Sequence, residues 1–428
     1  MTDHEIARVG AAFGSYLRLY QPCFLQERTA THFDNYCRGL LSDLPRKTLE
    51  PIALRCGTAV RTLQEFLTTA VWNHEQARDL LQHRLGQQLA QLPADPLGTI
   101  GVIDETSCRK KGDRTPGVQR QYLGCVGKVD NGLVTVHLGL CHGRFQALAD
   151  ATLFLPESWA DDRPRCQAAG IPDTVSYYPK WRLALDQYVR LRHHGVHFDW
   201  LTFDEGYGSK VPFLTWLSRW EQPFVAEVPV SFSVRVLAHD TPQRADVVLT
   251  AQVARQGQRI RIRRQTGVAQ WWRSVSLPVR VDDRDYVLVV AINEATAEVK
   301  YFLSNASSTP LTQLLGVGCR RATVEHTFQL GKQEAGLLQY EGRPYVGLVR
   351  HLIVVLIVMG FVSLPTERLR GKKSSAHPRA SLPRLKRPLR RVVPPTTRHS
   401  GRAARRPRHP LPPTTQRSSD PLPQATSS

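Results

Sequence analysis

Three acidic residues, Asp104, Asp204 and Glu325, lie where their carboxylate oxygens could bind hard cations. Asp104 and Asp204 each end an apolar run typical of a buried strand, and Glu325 lies in a helical pattern over 320–335. Carboxylates are preferred ligands of Mg²⁺, and a pair of such ions supports in-line displacement at phosphorus. The three acids therefore predict a site for phosphoryl transfer that holds two Mg²⁺ ions, with Mn²⁺ as a substitute.

Two ions are expected because the carboxylates would otherwise repel one another. Two carboxylates about 4 Å apart repel by a few kcal/mol at an effective dielectric constant near 20. Two divalent ions about 3.5–4 Å apart remove that repulsion, and they serve the attacking and the leaving oxygen respectively. The eight cysteines show neither Cys-x-x-Cys nor zinc-ligand spacing, which also favours a hard cation.

The composition favours a cytoplasmic protein with no membrane partner. The N-terminus lacks the apolar core of a signal peptide, and scattered cysteines are typical of reduced thiols. The longest apolar stretch, 352–364, is too short to span a bilayer and predicts a buried helix or strand. With 428 residues the chain is long enough for two or three domains.

The formal charge of +20 is concentrated at the C-terminal end of the chain. From Pro365 to Ser428 there are 16 Lys/Arg and 2 Asp/Glu, a net charge of +14, which leaves +6 for the first 364 residues. The same segment has 12 prolines and few large apolar side chains, so we expect it to be disordered. Such a polycation binds nucleic acid without sequence preference, and salt weakens the binding. A frameshifted or read-through end without a role is the alternative.

The first 95 residues are expected to form helices. Apolar side chains recur at helical spacing between 47 and 92, with an interruption at 56–57. Asn73 with Gln76 three residues later resembles a capping box, which predicts the start of a further helix. The prolines at 93 and 96 then end the pattern and mark a domain boundary.

The two helices on either side of Gly57 could form a helix-turn-helix that binds DNA. Basic side chains surround the turn, and the predicted DNA contacts among them are Arg46, Lys47 and Arg61. A small helical bundle with solvated arginines explains the same pattern equally well.

From Thr99 the hydrophobic period becomes that of strands. Two runs, 121–129 and 133–140, flank Asp130-Asn131-Gly132, which predicts a hairpin turn there because Asn-Gly adopts positive φ at little cost. A predicted helix over 179–194 leads into the Asp204 strand. This order predicts an α/β fold with the acids at strand ends, where such sheets bind ligands.

Residues 222–306 contain six short β-type runs, 224–230, 246–253, 259–263, 274–281, 286–292 and 299–303. Within this block three arginines alternate with isoleucines and share one strand face, namely Arg259, Arg261 and Arg263. A solvated hairpin face is one explanation of the alternation, and contact with the DNA backbone is the other.

Motifs around the acids resemble those of DDE transposases from bacterial insertion sequences. The stretches that carry the likeness around the first and second acids are 103–106, 110–112, 117–122, 124–128 and 203–208. Arg321, Glu325 and Lys332 match the Y-x2-R-x3-E-x6-K signature, and 334–337 with 340–343 extends the match. Gly318 stands at the tyrosine position of that signature. The resemblance covers residues 15–364.

The resemblance implies an α/β, RNase H-like core with a mixed sheet, a β-rich insertion before the glutamate and an all-helical N-terminal domain. The expected domains are a helical DNA-binding domain (1–95), the core in two parts (96–221 and 307–364, the latter with the glutamate helix), the β-rich insertion (222–306) and the disordered basic tail (365–428).

The resemblance also implies roles for individual residues. Asp104, Asp204 and Glu325 would be catalytic and would hold the two metal ions, whereas Arg321 and Lys332 would contact DNA phosphate. In the hairpin-forming branch of these enzymes an aromatic residue of the insertion holds a flipped base. Trp271 and Trp272 are candidates by residue type, and packing within the β block is the alternative.

The sequence therefore predicts a metal-dependent transposase that binds terminal inverted repeats, cleaves phosphodiester bonds and transfers strands to target DNA. We expect a homodimer on double-stranded DNA, in the bacterial cytoplasm and associated with the nucleoid. A glycosidase with two catalytic carboxylates is disfavoured, since Trp200 is the only candidate for stacking on a sugar. A catalytically inactive or damaged DNA-binding protein derived from a transposase remains the alternative.

Overall fold

Five helices precede a large mixed sheet in the computed structural model, which describes residues 3–236, 241–248, 256–263 and 269–371. The N-terminal helices are α1 (Asp3–Arg18), α2 (Glu27–Leu41), α3 (Leu49–Arg55), α4 (Val60–Thr68) and α5 (His74–Leu89). The capping prediction is confirmed, because the side chain of Asn73 accepts a hydrogen bond from the backbone N–H of Gln76 (2.9 Å) where α5 begins.

Twelve strands form one sheet within the described residues. They are β1 (Thr99–Arg109), β2 (Gln119–Leu123), β3 (Lys128–His142), β4 (Phe145–Leu153), β5 (Trp200–Phe203), β6 (Phe224–Glu227), β7 (Ser233–Val236), β8 (Pro242–Arg244), β9 (Gln258–Arg263), β10 (Ala269–Val281), β11 (Arg284–Asn293) and β12 (Val299–Ser304). The order is β2-β3-β1-β5-β6-β12-β11-β10-β7-β8, with β4 paired to β3 and β9 paired to β10. The pairs β1–β5 and β5–β6 are parallel, so the sheet is mixed as expected.

The later helices connect and cover the sheet. They are α6 (Glu157–Ala160), α7 (Arg163–Ala168), α8 (Lys180–His193), α9 (Glu205–Gly208), α10 (Val211–Arg219), α11 (Leu311–Gly318), α12 (Ala322–Glu334) and α13 (Tyr345–Gly371). The helix predicted over 179–194 is α8, and the one predicted over 320–335 is α12.

The predicted turn at Asp130-Asn131-Gly132 is wrong. These residues lie within β3, and the chain reverses between Leu123 and Lys128, where Gly127 has a φ of 66°. The Asn131 side chain instead donates to the carbonyls of Lys110 and Gly112, which ties the loop after β1 to β3. The strand run predicted over 246–253 is not found either, since the described 245–248 form a helical turn and 249–253 lie outside the described residues.

The N-terminal helices and α13 share one hydrophobic core with the sheet. The hydroxyl of Tyr16 on α1 donates to the carbonyl of Ile357 (3.0 Å), and that of Tyr36 on α2 is 2.8 Å from Nδ1 of His351. The run Tyr345–Ser363 is long and apolar enough to cross a membrane, yet most of it is buried against α5 and β4. It is therefore placed as the core helix of a globular protein.

A buried arginine on α13 stabilises the contact between α13 and the N-terminal helices, which we call the seam. Nη1 of Arg350 donates to the carbonyls of Phe66 (3.4 Å) and Leu67 (3.2 Å), and Nη2 donates to that of Trp72 (3.4 Å). The first two carbonyls belong to the last turn of α4, which has no later helical N–H groups to satisfy them. Burial lowers the pKa of Arg350 to about 10, since desolvation disfavours the charged guanidinium.

The predicted tail begins inside α13, which continues from Pro365 to Gly371. The rest of the segment predicted to be disordered, residues 372–428, lies outside the described residues.

Candidate active site

The parallel strands bring three acidic residues to the same level. Phe203 on β5 lies opposite Ile103 on β1 and Ala226 on β6. Residues in register on neighbouring strands project from the same face of a sheet. The residue that follows each of these three is acidic, and the set is Asp104, Asp204 and Glu227.

Asp104 lies within a strand rather than at its end, since β1 continues to Arg109 beside β3. Its side chain is buried, and its Oδ1 accepts the backbone N–H of Glu105 (2.7 Å). Burial, followed by the charge of Asp204, raises the pKa of Asp104 to about 7, and Arg321 opposes the shift. Additional positive charge near Asp104 would therefore stabilise its ionised form.

Asp204 is fixed by the short helix that follows it. It is the N-cap of α9, and its Oδ1 accepts the backbone N–H of Tyr207 (3.3 Å). The helix can lie against β6 because its last residue is Gly208, where a Cβ atom would stand 2.0 Å from the carbonyl oxygen of Glu227. The Asp-Glu-Gly-Tyr-Gly stretch thus holds Asp204 at the end of β5 while α9 packs on the neighbouring strand.

Arg321 joins the helix that carries Glu325 to the strand acids. Its Nη1 donates to Oδ2 of Asp104 (3.3 Å) and lies 3.2 Å from Oε1 of Glu325, one turn along α12. Burial opposes the guanidinium charge, but the neighbouring carboxylates, with Asp104 first, raise the pKa of Arg321 above its ordinary value. Arg321 thus contacts one acid on β1 and one acid on its own helix.

A fourth carboxylate, Glu227, completes this cluster. Its Oε2 lies 3.3 Å from Nε of Arg321, and its Oε1 accepts a hydrogen bond of 2.6 Å from Nζ of Lys300 on β12. Neither side chain of the Glu227–Lys300 pair exceeds 21% exposure. Sequence reasoning missed this pair because Glu227 has no flanking motif and joins the site only through the register of β5 and β6.

Lys332 lies two turns beyond Glu325 on α12, and its Nζ donates to the carbonyl of Ser107 on β1 (3.4 Å). This contact lays the helix along the second half of β1. The ammonium group therefore lies on the strand that carries Asp104, as a phosphate contact near the acids requires.

The donor chemistry of the site fits a hard divalent cation. Asp104, Asp204 and Glu325 offer carboxylate oxygens, and the raised pKa of Asp104 marks negative charge that Arg321 only partly compensates. The buried hydroxyl of Tyr207 has no hydrogen-bond partner among the described residues, and its pKa is raised by burial and then by nearby carboxylates. It is a polar atom near the acids that the protein itself does not satisfy.

The acids as placed do not yet form a metal-binding cluster of three side chains, within the part of the chain that the structure describes. The Arg321 guanidinium lies between Asp104 and Glu325 and compensates both charges. An ion shared by Glu325 and the strand acids would therefore compete with this guanidinium for their carboxylates. The exposure of the Glu325 side chain, 59%, leaves it room to turn.

The three residues predicted to contact DNA around the helix-turn-helix differ in their exposure to solvent. Arg46 and Arg61 are exposed and pair with Glu341 (2.6 Å) and Glu65 (2.9 Å) respectively. Lys47 is buried, and its ammonium group donates to the carbonyl of Ser42. A buried lysine offers nothing to DNA, so Lys47 leaves the set of proposed DNA contacts.

The two tryptophans of the β-rich block, Trp271 and Trp272, lie on opposite faces of the sheet. Trp271 is 39% exposed, and the guanidinium groups of Arg259 and Arg261 lie 4.2 Å and 5.9 Å from its ring centre. Trp272 points the other way and is 2% exposed, so it packs in the core and leaves the set of DNA contacts. Arg263 lies at the end of β9, and its side chain is outside the described residues.

Gly318, at the position of the signature tyrosine, packs against a ring from the sheet. A Cβ atom there would be 2.9 Å from the ring of Phe302 on β12. The space next to this backbone is thus filled by Phe302, and a larger residue at 318 would displace it.

Comparison with known proteins places this arrangement among nucleases. A family model described as "DDE superfamily endonuclease" matches residues 19–277, a range that includes Asp104 and Asp204. A protein from Microchaete diplosiphon, named "Probable transposase for insertion sequence element IS701", is 33% identical over 224 residues. The match covers 52% of this chain and 55% of that relative, so the chain spans about half the length of the curated relative.

Proposed function

Since this chain belongs to the DDE superfamily of endonucleases, we propose that it is a metal-dependent transposase of an insertion sequence. The observation that carries the proposal is the level placement of Asp104 and Asp204 on neighbouring parallel strands, with Glu325 joined to them through Arg321. The transposase name of the Microchaete diplosiphon relative supports the same assignment.

The proposed substrate is double-stranded DNA, first at the terminal inverted repeats of the element and then at the target. Arg321 and Lys332 flank Glu325 on α12 and would contact the phosphates next to the scissile bond. Other basic and aromatic residues would hold the flanking DNA, and the set is Arg46, Arg61, Arg259, Arg261, Arg263 and Trp271. Synapsis of two ends requires two catalytic sites, so the active form is a homodimer on DNA in the bacterial cytoplasm.

Asp104, Asp204 and Glu325 would hold two Mg²⁺ ions, or Mn²⁺, which supply activation of the attacking oxygen and stabilisation of the leaving oxygen. The protein's own part is to hold these acids in place. β1 keeps Asp104 buried and α9 fixes the Asp204 carboxylate. Arg321 would bring positive charge to the oxygens of the pentacoordinate phosphorus centre that forms in the transition state.

Hydrolysis and strand transfer are the same displacement with different nucleophiles. In the first, water attacks phosphorus and the 3′-oxygen of the element end leaves as a hydroxyl. In the second, that 3′-hydroxyl attacks a target phosphodiester, its proton is released, and the target 3′-oxygen leaves. One arrangement of acids can therefore serve both steps.

The test is cleavage of DNA that carries the element's own ends, with Mg²⁺, by the wild-type chain and by Asp104→Asn. We expect nicking at the element boundary and a loss of at least about 10³-fold in the variant, because a metal ligand is lost. Asp130→Asn is the matched control, since Asp130 also pairs with an arginine, Arg109 (3.0 Å), but lies away from the acids.

End-specific binding by the wild-type chain without cleavage, in Mg²⁺ and in Mn²⁺, would contradict the proposal. That result would favour the alternative, a DNA-binding protein derived from a transposase that no longer cuts.

A further inference from the structure

The carboxylates around Arg321 divide between two sides of its guanidinium group. Nη1 faces Asp104 and Glu325, the acids proposed to bind metal. Nε faces Glu227, which is not one of the three proposed metal ligands. The same arginine is thus shared between the catalytic acids and one carboxylate outside them.

Glu227 is itself held in place. Its Oε1 accepts the 2.6 Å hydrogen bond from Lys300, which leaves Oε2 for Arg321. Lys300 lies on β12 and Glu227 on β6, and these strands pair directly, so the contact is anchored by backbone hydrogen bonds on both sides. A carboxylate fixed in this way can orient an arginine through a charge-assisted contact.

We propose that Glu227, held by Lys300, is the positioning residue that retains Arg321 when the catalytic acids take up divalent cations. The proposal rests on the proposed function, because it assumes that these acids bind metal. Cations on Asp104 and Glu325 remove two of the anionic partners of Arg321, and Glu227 remains. The guanidinium then stays at the edge of the site, with Nη1 turned toward the incoming phosphate.

Loss of the Glu227 charge would change this division. In Glu227→Gln, Asp104 and Glu325 are the carboxylates that remain within contact of Arg321, so the guanidinium competes more strongly with a divalent ion for them. We expect the dissociation constant for Mn²⁺ to rise about three- to tenfold, the range of one partly buried charged contact.

The experiment measures Mn²⁺ binding to the full chain without DNA, from the electron paramagnetic resonance signal of free Mn²⁺. Glu298→Gln is the matched control, because Glu298 also contacts Lys300 (3.3 Å), its charge change is identical and it does not contact Arg321. We expect wild-type affinity in Glu298→Gln, weaker binding in Glu227→Gln and no site binding in Asp104→Asn.

A double-mutant cycle separates positioning from a general loss of structure. If Glu227 acts through Arg321, Glu227→Gln weakens Mn²⁺ binding in the wild-type background and has no effect in an Arg321→Met background. In cleavage assays the half-saturating Mg²⁺ concentration should rise with the Mn²⁺ dissociation constant. The rate at saturating Mg²⁺ should also fall, by about three- to tenfold, because Arg321 is no longer held toward the phosphate. Should Glu227→Gln not fold, Glu227→Asp keeps the charge with a shorter reach and should show a smaller shift in the same direction.

Three outcomes would overturn the inference. Wild-type Mn²⁺ affinity in Glu227→Gln would show that the contact with Arg321 does not matter. A loss as complete as that of Asp104→Asn would make Glu227 a metal ligand, and an equal loss in the Arg321→Met background would exclude action through the arginine. Absence of Mn²⁺ binding by the wild-type chain would instead remove the metal site and the proposed function with it.

Discussion

Two arginines, Arg350, which is buried, and Arg321, which is partly buried, occupy opposite kinds of surroundings in this molecule. Arg350, in the seam between α13 and the N-terminal helices, donates to three backbone carbonyls and lies 4.9 Å from the Trp72 ring centre. Arg321, at the acids, contacts three carboxylates. Burial lowers the pKa of Arg350 to about 10, whereas the carboxylates raise that of Arg321 against the same burial effect.

The difference shows which positive charge can be replaced. Backbone carbonyls at the end of α4 cannot move, and they need a donor that reaches all of them, so Arg350 is a permanent part of the fold. Carboxylates accept any cation of suitable size, so at the acids an arginine and a divalent ion are alternatives. An arginine that belongs to the fold and one that a cation can replace can thus be distinguished by the chemistry of their acceptors.

The largest expected effect compares the two arginines directly. Arg350→Met should lower the free energy of unfolding by about 3 kcal/mol, because three buried carbonyls lose the guanidinium that they share. The Phe66 carbonyl keeps a second donor, the indole N–H of Trp72 (3.0 Å). Arg321→Met should lower it by less than about 1 kcal/mol with Mg²⁺ present, since the cation compensates the same carboxylates. Urea unfolding with and without Mg²⁺ measures both, and Arg343→Met, at an exposed position near the start of α13, is the control.

Equal destabilisation by the two substitutions, or recovery of Arg350→Met by Mg²⁺, would contradict the distinction between the two regions.

A second effect is the pH dependence of stability without divalent ions. The pKa of Asp104 is about 7 in the folded chain and has a reference value of 3.8, so between these values the folded state holds a proton that the unfolded state has lost. Stability from this group is therefore lost as the pH rises from about 4 to about 7. Asp104→Asn should remove that loss and make the metal-free protein more stable than wild type at pH 8.

The seam should contribute a pH dependence of stability of the opposite sign. Burial lowers the pKa of His351 from 6.5 to about 4, so the unfolded chain binds the additional proton between these values. Its contribution is present above pH 6.5 and is lost as the pH falls toward 4. Thermal unfolding in EDTA from pH 4 to pH 8 tests both signs, and a wild-type chain no less stable than Asp104→Asn at pH 8 would refute the prediction for the acids.

The smallest effect concerns exposed and buried neighbours in the β-rich block. Trp271→Ala should weaken binding to element ends about fivefold, because a base or sugar loses an aromatic surface backed by Arg259. Trp272→Phe keeps an aromatic ring in the core and should leave DNA affinity unchanged. Fluorescence anisotropy at fixed salt measures both, and a larger loss from Trp272→Phe would reverse our assignment of faces.

The sequence was most informative where a function depends on local pattern. Asp104 and Asp204 follow apolar runs, and Glu325 has Arg321 and Lys332 at fixed helical offsets, so each could be selected from its own neighbours. The α/β order and the β-rich block were predicted from the same kind of local evidence, whereas the mixed sheet was implied by the resemblance.

Features that depend on distant contacts could not be predicted in this way. Glu227 reaches the acids through the register of β1, β5 and β6, which joins segments more than a hundred residues apart. Lys47 was predicted to contact DNA from its place beside the predicted turn, and Trp272 from its residue type, yet tertiary packing buries both. The shared core of the N-terminal helices and α13 likewise arises from apolar faces that meet only in the folded chain.

The β-rich block follows β6 in the chain and ends with β12, and these two strands are hydrogen-bonded neighbours in the sheet. The ends of this long excursion are therefore already joined, and the entropy of closing it depends only weakly on the number of residues between them. Chain can be added or removed between β7 and β11 while β1, β5 and β6 keep their register. A change in the length of this block would then alter how far the protein extends from its acids without altering the spacing of those acids.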